Sequence, residues 1–372
     1  MIVTKSNAFD FHKETLFVKK VFVCALLFLT ILLTFGELYP RKSQKIDLST
    51  GAGISKMLRY DDAQVYLFGE THRCTEYQQF RNVLFKYLVK EKGVRVLVEE
   101  AGYATTFLEN ETVQGRLSFS DWLDRCTSSK EDYELYQWIA DWNSGREDAD
   151  KISIIGIDIT DNIGNMQMLC QYLLKTCNFT GADVQTQRLL TAIRKQNPFS
   201  SLQLQTFQDE FLPQLIELYQ TKPEQLENVL GTQAMYLERA LLGWQEALEQ
   251  QRLRGKAEQL GDSDDVYREN CLYENFMREY QERPDTKYYG EFGAAHVLMS
   301  DYSGKIYRVQ NSFVTRLAEE GSPLNGKLTV IDGGLTFEIG DLGESDTNKV
   351  TLYNTASAKP PVSYTHLRAH ET

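Results

Sequence analysis

Residues 64–102 alternate apolar runs with polar turns in an order that predicts a strand, a helix and a second strand. Residues 64–68 are apolar and β-prone, and a glycine ends the run. Thr75 and Gln78 have the spacing of a helix capping box. Apolar side chains then recur at helical steps, at Tyr77, Phe80, Leu84 and Leu88. The apolar run 94–98 predicts a strand buried on both faces, which completes a βαβ unit of a parallel sheet.

The pattern after this unit predicts further strands separated by a long helical block. Residues 152–157 form another apolar run, and later strands are predicted at 287–291, 305–309 and 328–331. From 162 to about 285 the apolar residues follow the helical period almost throughout. We therefore expect an α/β fold with a mostly parallel central sheet and a large helical insertion at about 162–285.

Length, composition and charge narrow the class of protein. The chain has 372 residues, of which 42% are hydrophobic, so it can bury a large core. Its formal net charge is −12. Because no basic run is present to neutralise phosphates, we expect no nucleic-acid partner.

Both ends of the chain are predicted to be separate from the folded domain. Lysines precede an uncharged apolar stretch at 21–36. This pattern predicts that residues 1–37 are an export signal or a membrane anchor. The domain at 38–361 would then face the periplasm or the outside, touching the membrane only through that segment. Residues 362–372 match no preceding pattern and resemble a cloning or sequencing scar, so we predict a non-native tail there.

Polar side chains follow the predicted strands at the points where the strands end. Glu70 and His72 come directly after the first strand, Glu99 and Glu100 end the second, and Asp158 ends the third. In open α/β sheets the ligand crevice lies outside the carboxyl ends of the strands. We therefore expect Glu70, His72 and one of the two glutamates to converge there.

The folded body contains two histidines, His72 and His296, because the other three lie in the leader and the tail. Each ends a Gly-x-x-His turn after a predicted strand. His72 also precedes a helix N-terminus, whose partial positive charge favours the neutral imidazole. A general base or a metal ligand must be neutral, so the pair is a candidate for either role.

An ordered set of motifs gives this sequence a family resemblance. The motifs are Gly69-Glu70-Thr71-His72, Arg81, Glu100-Ala101-Gly102, Gly-Ile-Asp at 156–158, Arg268-Glu269, Glu274-Asn275 and Ala295-His296-Val297. In this order they resemble the erythromycin esterase family, over about residues 64–297. The wider superfamily includes the ChaN-like haem-uptake proteins and the Tiki/TraB proteins. The resemblance implies a three-layer α/β/α fold with an added helical region.

The same resemblance implies a catalytic set and a substrate-binding set. The catalytic set is His72, Glu100, His296, Arg81 and Asp158. By resemblance Glu70 and Arg268 are supporting residues, and together with Glu291, a carboxylate at the end of a predicted strand, they form the predicted substrate-binding set. By resemblance, His72 is the general base that activates water, and Glu100 orients or polarises it. The expected reaction is hydrolysis of an ester or lactone of a small molecule.

The sequence leaves two mechanisms and two functions open. In the first mechanism, neutral His72 removes a proton from water, and Arg81 or His296 stabilises the oxyanion. In the second, the two histidines and a carboxylate (Glu100, Asp158 or Glu291) bind a divalent metal that lowers the pKa of its water. The two Gly-x-x-His turns resemble those of Tiki/TraB proteins, and that resemblance implies a divalent metal. No cofactor is certain, and a divalent metal is the one that this residue set allows. The alternative to catalysis is a ChaN-like haem- or iron-binding protein of the cell envelope.

Overall fold

The structure is a computed structural model, and it covers most of the chain after residue 45. The described residues are 46–59, 61–72, 74–120, 129–159, 162–254, 264–299, 302–303, 308–309, 311–332, 349–354, 362–365 and 367–368. The predicted leader at 1–37 lies outside them. Within these ranges, no helix combines the length and the apolar character that crossing a bilayer requires.

The centre of the described fold is a mostly parallel β-sheet. Its strands are β2 (Val65–Glu70), β3 (Val96–Gly102), β4 (Ser153–Asp158), β5 (Tyr288–Gly293), β8 (Leu328–Asp332), β9 (Lys349–Asn354) and β10 (Val362–Thr365). They lie in the order β10-β9-β8-β2-β5-β3-β4. The five from β8 to β4 are parallel, whereas β9 and β10 are added antiparallel at one edge. β10 falls in the segment predicted to be a non-native tail.

Short strands lie outside this sheet. They are β1 (Ile46–Asp47) with β11 (Leu367–Arg368), and β6 (Tyr302–Ser303) with β7 (Arg308–Val309). Of the strand predicted at 305–309, the structure describes only β7. It pairs antiparallel with β6 and does not join the central sheet in the described residues.

Helices connect the strands and form the insertion. Those near the sheet are α1 (Ile54–Met57), α2 (Thr75–Tyr87), α3 (Tyr103–Val113), α4 (Lys130–Asn143), α12 (Ala294–Val297) and α13 (Phe313–Ala318). Those between β4 and β5 are α5 (Ile163–Leu174), α6 (Val184–Arg194), α7 (Ser201–Thr206), α8 (Leu212–Thr221), α9 (Pro223–Leu230), α10 (Ala234–Arg254) and α11 (Asp264–Glu282). The predicted capping box at the start of α2 is wrong: Cys74 is the N-cap residue, and no side chain caps the helix.

The sheet is buried on both faces, which makes the fold three-layered. Tyr66 and Phe68 belong to a core that includes side chains of α2, α3 and α4, and we call this side the first face. Val65 and Leu67 belong to a core with side chains of α11, α12 and α13, the second face. The alternation follows from the two-residue period of a strand. The predicted three-layer α/β/α fold with a mostly parallel sheet and a helical insertion is confirmed.

Candidate active site

Polar side chains from four strands meet at the carboxyl edge of the sheet. We call the histidine cluster the set Glu70, His72, Glu100, Asp158, Arg268, Glu269 and His296. Five of these residues lie at or just after the ends of β2, β3, β4 and β5, and the other two come from α11. The edge is shared because the strands are parallel and in register, with Glu70 opposite Gly293 and Gly102 opposite Asp158.

Glu70 fixes the ring of His72. Nδ1 of His72 donates a hydrogen bond to Oε1 of Glu70, which leaves Nε2 as the basic nitrogen of a neutral ring. The His72 side chain is 66% exposed, whereas that of Glu70 is 10% exposed, so the anchor is buried and the ring reaches solvent. The Glu70 hydrogen bond raises the pKa of His72, and partial burial opposes it.

His72 and Glu100 come together at Gly293. A Cβ atom built on Gly293 would lie 3.0 Å from Nε2 of His72 and 3.4 Å from Oε2 of Glu100. The Gly293 N–H donates to that Oε2 at 2.6 Å. Glycine is therefore the residue that lets the imidazole and the carboxylate approach the same stretch of backbone.

Glu99 and Glu100 lie on opposite faces of β3, and the strand becomes irregular at this point. The pairing of β3 with β4 is regular up to Glu99 and shifts between Glu99 and Gly102. Opposite the shift, Gly156 approaches so closely that a Cβ there would lie 2.3 Å from the carbonyl oxygen of Ala101. Leu97 packs in the first-face core and Val98 in the second-face core. The two-residue period of the strand therefore carries Glu99 to the first face and Glu100 to the second, where they enter different polar groups. From the sequence alone, alternation does not show which of the two faces the cleft.

Arg268 links three members of the histidine cluster. Its Nε and Nη2 donate to the two carboxylate oxygens of Asp158 at 2.9 and 2.6 Å, a bidentate pair. Nη2 also donates to Oε1 of Glu100 at 2.7 Å, and Nη1 lies 3.1 Å from Nε2 of His296. The guanidinium of Arg268 is therefore held in place by three side chains of the cluster.

His296 is buried between two carboxylates. Its Nε2 lies 3.2 Å from Oε1 of Glu100, and its Nδ1 is hydrogen-bonded to Oε1 of Glu269. Burial alone would lower the pKa of His296, but the hydrogen bonds to Glu100 and Glu269 raise it to about 9. Burial would raise the pKa of Glu100, yet His296, Arg268 and the Gly293 N–H hold it well below its usual range. The two histidines therefore differ: His72 is exposed at the surface, and His296 is buried among charges.

Arg81 and Glu291 form a second group, on the first face of the sheet and within electrostatic reach of Glu70. Nη1 of Arg81 lies 2.8 Å from Asp132 and 3.1 Å from Glu291. Glu99 lies beside Glu291 in the strand register and accepts a hydrogen bond from Tyr136 at 3.0 Å. We call this set, together with Glu109, the arginine cluster. The sequence predicts a role for two of these residues, Arg81 and Glu291, in the same site as His72. That role stays a prediction.

Burial dominates the charges of the arginine cluster. It raises the pKa of Glu291 to about 8, against the opposing effect of Arg81. Burial likewise raises the pKa values of Glu99 and Glu109. Arg81 gives its closer contact to Asp132, so its one positive charge does not compensate the three remaining carboxyls. This excess of buried acids over bases favours protonation of the carboxyls.

The histidine cluster does not suit a divalent metal. Its acids already share the guanidinium of Arg268, and one ring nitrogen of each histidine is taken by a glutamate. A dication placed among them would face that fixed positive charge. In the described part of the chain, no three His, Cys, Asp or Glu side chains are arranged to hold a metal ion. The chain's own cation occupies the position that a metal would need.

The sequence predicts no role for two members of the site. Glu269 stands out only as part of a motif, because its partners His296 and Phe313 are distant along the chain. Gly293 stands out only as the start of a Gly-x-x-His turn. The Gly-x-x-His turn occurs after two strands, and this repetition is the signal that could identify Gly293, since a glycine at that point permits close approach of side chains.

The fold and the histidine cluster together define an α/β protein with a polar site at the carboxyl edge of its sheet. Among solved structures, the same fold is found in a histidine-to-asparagine mutant of the erythromycin esterase EreC in its open conformation. The two are 15% identical with a TM-score of 0.52, over 84% of this chain and 82% of that one.

Further comparisons are weaker. A Bacillus cereus protein is 19% identical with a TM-score of 0.48, over 79% of this chain and 70% of its own. A succinoglycan biosynthesis protein is 17% identical with a TM-score of 0.48, over 75% and 67%. No protein-family model matches the chain, and no curated protein matches it. At these identities the likeness establishes the fold, and the activity has to be argued from the site.

Proposed function

We propose that this protein hydrolyses a carboxylic ester or lactone of a small molecule, with His72 as the general base. The observation that carries the proposal is the Glu70–His72 pair. Glu70 holds Nδ1, Nε2 lies beside Gly293 and Glu100, and the His72 side chain as a whole is 66% exposed. General-base catalysis needs a basic nitrogen oriented by a carboxylate, which this pair supplies.

The proposed reaction begins with a water molecule next to Nε2 of His72. The ring takes a proton from the water while its oxygen bonds to the carbonyl carbon, and the carbonyl π electrons move to oxygen. Collapse of this tetrahedral oxyanion expels the alkoxide, which recovers the proton from His72. Glu70 stabilises the imidazolium that exists between the two transfers. In the proposal, Glu100 orients the water beside Gly293.

Stabilisation of the oxyanion is assigned to the cations next to Glu100. Arg268 and His296 lie on one side of that carboxylate, at 2.7 and 3.2 Å, and bring positive charge to the site. Preorganised electrostatic stabilisation of this kind contributes a few kcal/mol to acyl-transfer reactions. Asp158 holds the guanidinium in place through its bidentate pair. The fold shared with EreC is consistent with this class of reaction.

We also propose that the reaction takes place outside the cytoplasm. The proposal rests on the lysines and the apolar stretch at 21–36, which have the pattern of an export signal or anchor. A reporter enzyme that is active only after export, fused behind residue 361, tests it. An inactive reporter with a fully expressed fusion would contradict export.

The experiment that tests the activity is a panel of nitrophenyl esters and lactones with the purified full chain. We expect His72→Ala to lower kcat/KM by about 10²- to 10⁴-fold, the usual contribution of a general base. The control is Val184→Ala, because Val184 has a similar exposure, 64%, but lies on α6 of the insertion. Thermal unfolding should be the same for both variants. Full activity in His72→Ala would refute the proposed role.

A further inference from the structure

Glu269 is a buried carboxylate that the proposed mechanism leaves without a task. It is 1% exposed, so its charge is almost completely removed from water. Oε2 accepts a hydrogen bond from the Phe313 N–H at 2.8 Å, and Oε1 contacts Nδ1 of His296. A buried carboxylate needs a compensating charge, and the backbone N–H supplies none. The neighbouring group that can supply one is the imidazole of His296.

The charges around His296 can be counted from the contacts. Glu100 and Glu269 touch the ring directly, and Asp158 is joined to it through Arg268. Arg268 supplies a single positive charge against these three carboxylates. His72 stands near enough to interact electrostatically with His296. A protonated His296 leaves this group of charges closer to neutral than an uncharged ring does, which is favoured in a buried site.

The ring nitrogens of His296 allow two hydrogen-bond patterns. A charged ring donates from Nδ1 to Glu269 and from Nε2 to Glu100. A neutral ring keeps the Glu269 bond and accepts at Nε2 from Nη1 of Arg268, which lies 3.1 Å away. The identity of the group at Nδ1 decides between them, because a carboxylate there favours the charged ring and a neutral acceptor does not.

We infer that Glu269 is a positioning residue that keeps His296 protonated, so that His296 acts as a cationic hydrogen-bond donor beside Glu100. The two histidines then have opposite tasks: His72 accepts a proton, and His296 retains one. The inference rests on the proposed function for its catalytic meaning, but the charge of the ring is a property of the folded chain alone. The direction of the His296 pKa, raised to about 9 by its two glutamates, agrees with this.

The test is ring-nitrogen NMR on the full chain with isotope-labelled histidine. Only five histidines are present, and a His296→Asn variant assigns the signal. In the wild type we expect an imidazolium at His296 throughout the neutral range, with a midpoint near 9. In Glu269→Gln we expect the midpoint to fall by about two pH units or more, because the carboxylate is replaced by a neutral acceptor. In Glu269→Asp the charge remains, so the midpoint should lie between the two.

The matched control is Glu279→Gln on the same helix. Glu279 is also buried, but its partners are Arg239 and Arg283, so its loss removes a buried carboxylate of α11 without touching His296. We expect the His296 midpoint in this variant to stay within about half a pH unit of the wild type. A His296 midpoint that is equally unchanged in Glu269→Gln would overturn the inference.

The wild-type spectrum keeps the test decisive if a variant does not fold. A neutral His296 ring at neutral pH overturns the inference without any substitution. The measurement also separates this inference from the proposed function, since it needs no substrate. Lack of hydrolysis with a protonated His296 refutes the function alone, and hydrolysis with a neutral His296 refutes the role of Glu269 alone.

Discussion

Gly293→Ala is the substitution whose effect the geometry predicts most directly. The backbone of Gly293 has φ −49° and ψ 133°, a conformation that alanine adopts without strain. The new methyl group would lie 3.0 and 3.2 Å from Nε2 and Cε1 of His72, and 3.4 Å from Oε2 of Glu100. The N–H that binds Glu100 is kept. The perturbation is therefore a single carbon atom placed against the working edge of the imidazole.

The exposure of His72 determines how this contact is relieved. Because the His72 side chain is 66% exposed, the ring can swing outward, and the free energy of unfolding should fall by less than about 1 kcal/mol. The catalytic cost should be larger, since a shift of about 1 Å in a reacting group costs on the order of 10²-fold in rate. We expect kcat/KM to fall by about 10- to 100-fold with little change in KM.

The assay pairs this variant with Gly290→Ala on the same strand. There a Cβ would lie 2.6 Å from the ring of Phe292 and 2.9 Å from Cδ2 of Leu67, both in the second-face core. Overpacking of this kind costs about 1–3 kcal/mol of stability, and the folded fraction should keep its kcat/KM. Urea unfolding and ester hydrolysis should give opposite results for the two variants. Gly293→Ala should lose activity and keep most of its stability, whereas Gly290→Ala should lose stability and keep its activity. Equal activity of Gly293→Ala and wild type would refute the placement of His72 in the reaction.

Three further outcomes follow from the charges. Glu70→Gln should move the acidic limb of the kcat/KM–pH profile to lower pH, because the Glu70 hydrogen bond is what raises the pKa of His72; an unmoved limb would assign it to another group. Glu291 has a pKa of about 8 when folded against 4.5 as its ordinary value, so it contributes fully to stability below pH 4.5 and loses that contribution as pH rises to 8. The side chain of the Glu291→Gln variant cannot ionise. Between those pH values the free energy of unfolding of the wild type, measured in urea, should therefore fall by roughly 2–4 kcal/mol more than that of the variant. Parallel curves would argue against a protonated Glu291. Dialysis against a chelator should leave the hydrolysis rate unchanged, since Arg268 fills the centre of the site, and recovery of a lost rate by added Zn²⁺ would contradict this.

The regions that the sequence predicts well are those where the pattern is local. The strands at the start of the fold and the polar residues at their ends follow from periodicity and from the geometry of parallel sheets. The structure brings Glu70, His72, Glu100, Asp158 and His296 to one edge, as that geometry requires. The two Gly-x-x-His turns were the useful signal, because each places a histidine after a strand end.

The parts that the sequence does not predict depend on register between distant segments. Glu99 and Glu100 are adjacent, and alternation places them on opposite faces, but the sequence does not show that Glu99 bonds to Tyr136 and Glu100 to Arg268. Arg81 is a mid-helix residue whose partner across the sheet cannot be read from spacing. Glu269 lies on a helix of the insertion and binds a residue of the sheet edge. Such contacts are set by tertiary packing, which leaves no periodic pattern in a single sequence.

Arg268 and Glu269 are consecutive residues near the start of α11, and both contact His296. One residue in an α-helix corresponds to about 100° of rotation. Leu272 anchors this helix in the second-face core. An insertion or deletion of a single codon between Glu269 and Leu272 would therefore turn both Arg268 and Glu269 away from the histidine at once, where a point substitution removes only one. Variants of this chain that differ in length should leave that short segment of the helix untouched.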